Sequence, residues 1–205
     1  MTSSLTPETH SQQQLQRQTP TRVWAVVPCA GSGSRAGSPQ PKQYQPVAGA
    51  PLVVHTLKAM GAVGQIFKTL VVVAPGDNFL DLLGPQFDTV LIANCGGDTR
   101  TKSVFNGLVH LQAIGATEND WVLVHDAARC LVTPELIAHL INACWHDEVG
   151  GLLALPLPDT LKTSRAGRVA ETVERADKWL AQTPQMFRLG ALTTALQACE
   201  TGAWP

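Results

Sequence analysis

Residues 23–44 read VWAVVPCAGSGSRAGSPQPKQY. The opening run, Val23–Pro28, is short, apolar and rich in β-branched side chains, which suits a strand buried on both faces. The chain then changes character at once. Gly31, Gly33 and Gly37 fall within seven residues, and Arg35 and Lys42 follow among Pro39 and Pro41. A buried strand that runs straight into such a loop is the signature of an open α/β sheet, whose ligands lie beyond the carboxyl ends of the strands. Glycines let backbone N–H groups turn inward and approach an anion closely. The dinucleotide pattern G-x-G-x-x-G fails, because Gly37 comes one residue too late, and the P-loop pattern G-x-x-x-x-G-K-[ST] fails as well. On the glycines alone, an ordinary surface loop is an equal reading, and either cation taken singly is an ordinary surface charge. Together they are more specific. Pro39 and Pro41 stiffen the loop, Arg35 offers a planar fork, and Lys42 offers a point charge beside free amides, an arrangement suited to a triphosphate.

Working outward, four more short apolar runs read as strands: Thr69–Ala74, Thr89–Ala93, Trp121–His125 and Gly151–Pro156. Helical patterns separate them. Pro51–Val63 begins with a proline at a first helical position. Thr101–Ile114 places Val104, Leu108, Leu111 and Ile114 on one stripe. Pro134–Trp145 places Leu136, Leu140 and Ala143 on another, with Thr133 as N-cap. Strand and helix alternating in this way predict a mostly parallel sheet with helices on both faces. Residues 157–182 break the alternation. Polar and apolar residues alternate there around the turn-like SRAGR, which predicts a protruding hairpin.

The 205 residues suffice for one sizeable domain, and the net charge of -1 gives no general attraction to nucleic acid or to a membrane surface. No apolar run approaches the roughly 18–20 residues that span a bilayer. The cysteines (Cys29, Cys95, Cys130, Cys144, Cys199) are odd in number and form no C-x-x-C pair, which points to free thiols in a reducing cytoplasm. Residues 1–21 are Ser, Thr, Gln and Pro with few large apolar side chains, so a disordered tail is expected, with 22–205 as the domain. The tail lacks the apolar segment of a secretory signal. As a plastid transit peptide it is weak, with one Arg in its first twenty residues and an acidic Glu8.

P-x-A-G-x-G-x-R followed by P-K-Q-Y resembles the opening of the 2-C-methyl-D-erythritol 4-phosphate cytidylyltransferases of non-mevalonate isoprenoid synthesis. GGDTRTKSV (96–104), HDAAR (125–129), TVER (172–175) and QTPQMF (182–187) agree with the same family in the same order. The resemblance implies a Rossmann-like three-layer nucleotidyltransferase fold with a hairpin dimerisation arm. It also implies a reaction in which the phosphate of a sugar alcohol attacks the α-phosphorus of CTP and pyrophosphate leaves. On that basis Arg35 and Lys42 neutralise charge on the α-phosphate. Ala30, Gly31, Gly33, Gly97, Asp98 and Ser103 hold the nucleotide, with Ala127 and Arg129 lining the site. Asp126 holds Mg²⁺. Arg175, with Thr160, binds the acceptor phosphate across a two-fold axis, and Thr183 is a further acceptor contact.

Some residues remain open on their own chemistry. Asp98 could simply cap the helix after it, and Asp126 could simply pair with Arg129. His125 reads as a structural hydrogen-bonding residue, because a phosphate nucleophile is already ionised. Arg100 reads as a solvated or structural cation. Cys130 stands where the family commonly has proline. The family continues past Pro205 through an acidic segment, a strand with a basic motif and a terminal helix, so the domain is expected to be incomplete at its C-terminus. The competing functional readings are a ribitol 5-phosphate cytidylyltransferase, a transferase for another nucleotide, a nicotinamide oxidoreductase and a non-catalytic dimerising relative. The misplaced Gly37 disfavours the oxidoreductase.

Overall fold

A computed structural model of the chain describes residues 20–31, 40–83, 88–200 and 202. Its elements in order are β1 (Val23–Pro28), a 3₁₀ turn (Lys42–Tyr44), β2 (Pro46–Val47), β3 (Ala50–Pro51), α1 (Leu52–Gly61), β4 (Ile66–Val72) and β5 (Val90–Ala93). Then follow α2 (Arg100–Ala113), β6 (Trp121–Val124), α3 (Pro134–Cys144), β7 (Gly150–Pro156), β8 (Leu161–Arg165), β9 (Arg168–Val173), β10 (Trp179–Arg188) and α4 (Leu189–Glu200).

Six strands form the central sheet in the order β5-β4-β1-β6-β10-β7. β5, β4, β1 and β6 pair in parallel, and β10 runs antiparallel between β6 and β7. The sequence expectation of a mostly parallel sheet with helices on both faces holds. The alternation of β1 shows how the layers form. Val23 and Ala25 face one side, packing with Met60 of α1 and with Ile137, Leu140 and Ile141 of α3. Trp24 and Val26 face the other, packing with Val104, Leu108 and Leu111 of α2 and with Leu189. Two helical stripes differ from expectation. On α3 the buried set is Ile137, Leu140, Ile141 and Cys144, while Leu136 lies outside; Ile114 falls just past the end of α2 and is exposed. In both helices the rows that meet the sheet follow the i, i+3, i+4 geometry of the docked helix, which a list of apolar residues locates only to within a turn.

Asp120 ties the amino ends of β1 and β6 together. Its buried carboxylate accepts hydrogen bonds from Arg22 N at 2.9 Å, Trp24 Nε1 at 3.0 Å and Thr117 N at 2.9 Å.

The hairpin is present but shorter than the predicted 157–182. β8 and β9 turn through Ala166 (φ 52°) and Gly167 (φ 75°), a pair of left-handed residues matching a two-residue hairpin turn. Trp179–Ala181 instead pair with Ala154–Pro156 as part of β10. The register of β10 then shifts between Ala181 and Gln185, so that three residues, Gln182–Pro184, lie opposite Leu153 alone. Such a bulge re-aims side chains, and it directs Gln182 and Thr183 at the turn after β6.

Candidate active site

In the order β5-β4-β1-β6 the chain builds outward from β1 in one direction and then crosses to its other side, so β1 and β6 flank the topological switch point. Ligands of open α/β sheets bind at that place, beyond the carboxyl ends. Four stretches named by the sequence converge there through direct contacts.

Cys29, Ala30 and Gly31 leave β1. Gln43 is buried, and its Nε2 donates to the carbonyl oxygens of both Cys29 and Gly31 at 2.8 Å. Lys42, the exposed neighbour of Gln43, opens the 3₁₀ turn. Tyr44 donates to Asp77 Oδ2 at 2.6 Å and stacks on Phe79, with ring centroids 4.0 Å apart. Burial pushes the Cys29 thiol up to about 12 and raises the Tyr44 hydroxyl too, so both are neutral packing groups.

The second stretch follows β5. Gly96 N donates to Val73 O at 2.9 Å, and a Cβ on Gly96 would lie 2.2 Å from the methyl of Ala30. Only glycine fits this approach. Gly97 N donates to Ser103 Oγ at 3.1 Å, and the Ser103 hydroxyl in turn donates to Thr99 O at 3.0 Å. Ser103 thus folds the glycine turn onto the start of α2. The N-cap is Thr99, whose hydroxyl accepts from Lys102 N at 3.0 Å; Asp98 is exposed and is not the cap.

The third stretch is the turn after β6. Asp126 stands between two arginines, with Arg100 Nε 2.6 Å from Oδ1 and Arg129 Nε 2.9 Å from Oδ2. Burial alone would raise its pKa. The two guanidiniums outweigh this and hold it below the usual carboxylate range, so the group is ionised. Arg129 also donates to Gln182 Oε1 at 2.6 Å, which ties the turn to the bulge of β10, and Thr56 of α1 donates to Ala127 O at 3.0 Å. His125 is fully buried. Its Nε2 lies 3.1 Å from Arg129 O, and its Nδ1 lies 3.0 Å from Thr183 Oγ1. A carbonyl only accepts, so Nε2 carries the proton and Nδ1 accepts from Thr183. Burial lowers the His125 pKa and keeps the ring neutral, which bears out its structural reading.

The family model described as IspD, 2-C-methyl-D-erythritol 4-phosphate cytidylyltransferase, matches residues 23–205. The chain belongs to the 2-C-methyl-D-erythritol 4-phosphate cytidylyltransferase family. It is 62% identical over 186 residues to the bifunctional enzyme IspD/IspF of Albidiferax ferrireducens, covering 91% of this chain and 44% of that protein. It is 50% identical over 191 residues to a 2-C-methyl-D-erythritol 4-phosphate cytidylyltransferase of Cupriavidus pinatubonensis, covering 86% of this chain and 75% of that one. Among solved structures, a 4-diphosphocytidyl-2C-methyl-D-erythritol synthase superposes with a TM-score of 0.78 at 37% identity, over 88% of this chain and 80% of the other.

Of the site residues that the family resemblance implied, Gly33 and Arg35 lie outside the described residues. Ala30, Gly97 and Ser103 meet around the glycine turn, Gly31 is held by Gln43, and Asp126, Ala127, Arg129 and Thr183 meet around the turn after β6. Thr160 and Arg175 lie at the root of the hairpin, both exposed, where Arg175 donates to Pro158 O. Sequence reasoning missed Gln43, Thr56 and Gln182, and it placed Arg100 outside the site. Polar residues buried or paired beside known motifs were the available signal, but their partners lie from 12 to 71 residues away.

Proposed function

We propose that this chain transfers the cytidylyl group of CTP to 2-C-methyl-D-erythritol 4-phosphate, forming 4-diphosphocytidyl-2-C-methyl-D-erythritol and pyrophosphate. The observation that carries this reading is the ionised Asp126 clamped between Arg100 and Arg129 at the switch point, one strand from the glycine loop that leaves β1. An oxygen of the acceptor phosphate attacks the α-phosphorus of CTP as the bond from that phosphorus to the bridging oxygen of the β-phosphate breaks. No proton need be removed, which agrees with a His125 that is buried, neutral and fully hydrogen-bonded. The work of the protein is therefore to position the reactants and spread charge. Lys42 and Arg35 supply positive charge at the α-phosphate. Ala30, Gly31, Gly33, Gly97, Asp98 and Ser103 seat the nucleotide. Ala127, Arg129, Thr160, Thr183 and Arg175 serve the triphosphate and the acceptor.

The donor set fits a Mg²⁺ carried by the nucleotide. Among the described residues no three His, Cys, Asp or Glu side chains form a metal cluster. Mg²⁺ is commonly held by one or two carboxylates with phosphate oxygens and waters, and Asp126 is such a carboxylate. When bound, Mg²⁺ supplies charge neutralisation on the triphosphate.

The hairpin supports a homodimer. A two-stranded ribbon is marginal alone, and here Val169 is 69% exposed, with Leu155 at 58% and Trp179 at 62% on the adjoining strands. No helix among the described residues is long and apolar enough to cross a membrane. A cytoplasmic setting, with no nucleic-acid or membrane partner, is part of the reading. The Cupriavidus relative and the solved synthase reported above carry the methylerythritol name, which favours that acceptor over ribitol 5-phosphate.

Release of pyrophosphate from CTP with 2-C-methyl-D-erythritol 4-phosphate, compared with ribitol 5-phosphate, tests the assignment. Lys42→Ala is expected to lower kcat about a hundred- to a thousandfold, equivalent to about 2.7–4 kcal/mol of barrier, while CTP affinity changes far less. A Lys42→Ala enzyme with the wild-type kcat overturns the role.

A further inference from the structure

We infer that Gln43 is the positioning residue of the nucleotide site: it fixes the backbone edge at Ala30 and, through the adjoining peptide, the place of Lys42. The inference deepens the proposed cytidylyltransferase reading and rests on it. Gln43 is 7% exposed, and its single amide nitrogen takes two carbonyl oxygens, those of Cys29 and Gly31, both at 2.8 Å. A buried amide that binds two main-chain carbonyls holds a loop in one geometry.

That geometry has a consequence for Ala30. In an extended chain, successive peptide groups face opposite edges. Cys29 N faces β4, where it donates to Val72 O at 2.7 Å, while His125 N donates to Val26 O from the β6 side at 3.0 Å. By this alternation the carbonyls of Cys29 and Gly31 belong to the β4 edge. β4 ends at Val72, so it offers them no further partners. Gln43 takes the place of the missing strand. The N–H and C=O of Ala30 are left to the opposite edge, over β6, where the switch-point crevice opens. Gly96 meanwhile seats the Ala30 methyl from below, with no room for a Cβ of its own. One side chain therefore presents the peptide groups of Ala30 to a base edge or phosphate, and the same residue carries Lys42 on its amino side. Tyr44, bonded to Asp77, anchors the other side.

The test uses two variants of the full chain. Gln43→Glu is isosteric but sets a carboxylate against two carbonyl oxygens. Gln43→Met keeps the length and removes every polar atom. CTP binding is measured by calorimetry, and the KM values for CTP, UTP and the acceptor by pyrophosphate release. Both variants are expected to weaken CTP binding tenfold or more, to narrow the preference for CTP over UTP, and to leave the KM of the acceptor within about twofold. A merely structural Gln43 reduces the amount of active enzyme, so kcat falls with every KM unchanged, and that outcome overturns the inference. So does wild-type CTP affinity in Gln43→Met. If the wild-type chain neither binds CTP nor releases pyrophosphate, it is the cytidylyltransferase reading that fails.

Discussion

Thr183 illustrates how one hydroxyl can organise a site. Its oxygen lies 3.4 Å from Asp126 N and 3.0 Å from His125 Nδ1, while His125 Nε2 donates to Arg129 O. The resemblance implied that Thr183 contacts the acceptor. Within the protein its hydroxyl donates to a buried imidazole and fixes the tautomer of that ring. Thr183→Val keeps the shape and leaves Nδ1 buried without a donor, at a cost of about 1–3 kcal/mol. The melting temperature is expected to drop by several degrees, and Thr183→Ser is expected to restore most of it. A Val variant that melts with the wild type would remove the histidine chain as a stabilising feature. Arg100 carries the same lesson. Read singly it is a surface cation; in the fold it is 2.6 Å from Asp126 because α2 begins beside the end of β6. An exposed ion pair contributes little stability, so its significance here is the charge it brings to the site.

Among the elements, the turn between β5 and α2 is the most constrained. An alanine at position 96 would place its Cβ 2.2 Å from the Ala30 methyl and 2.8 Å from the Val73 carbonyl oxygen. Neither neighbour is a flexible chain end, so the β1 and β5 loops must separate. Gly96→Ala is expected to cost about 1–3 kcal/mol through overpacking and to abolish detectable CTP binding by calorimetry, while the melting curve stays cooperative. Unaltered CTP binding would show that the close approach of Ala30 to Gly96 is dispensable. The GG dipeptide made this turn legible in the sequence. The cap was not: Asp98 and Thr99 are both good N-caps, and the choice of Thr99 follows from where α2 starts its first hydrogen-bonded turn. The bulge of β10 was equally hidden, since Gln182, Thr183 and Pro184 give no strand pattern and gain their order from β6 and β7 on either side.

At the scale of the whole molecule, a compact three-layer domain carries an exposed ribbon that its own core does not support. β8 is exposed along its whole length, and β9 at all but Val173. If the arm is the dimer contact, replacing residues 161–173 by a short turn gives a chain that sediments as a monomer and keeps its far-ultraviolet circular dichroism, since the arm adds nothing to any of the three core clusters. Loss of the folded spectrum, or an unchanged dimer, would contradict that division of labour. The chain spans 44% of its bifunctional relative and 75% of the Cupriavidus protein.

Elements whose causes are local could be read from the residues alone. Apolar β-branched runs marked the strands, Thr133 and Pro134 marked the start of α3, and clustered glycines marked the loop after β1, while Pro51, expected as the first helical residue, is the N-cap of α1. The SRAGR turn likewise marked the hairpin. The packed fold was needed to see that β10 inserts antiparallel between β6 and β7, that Arg100 and Arg129 share Asp126, and that Gln43 caps two carbonyls of the glycine loop. The reason is physical. Propensity and periodicity act over a few residues, whereas these contacts are made by groups brought together from distant segments, and a polar side chain's partner is fixed only when the layers have packed.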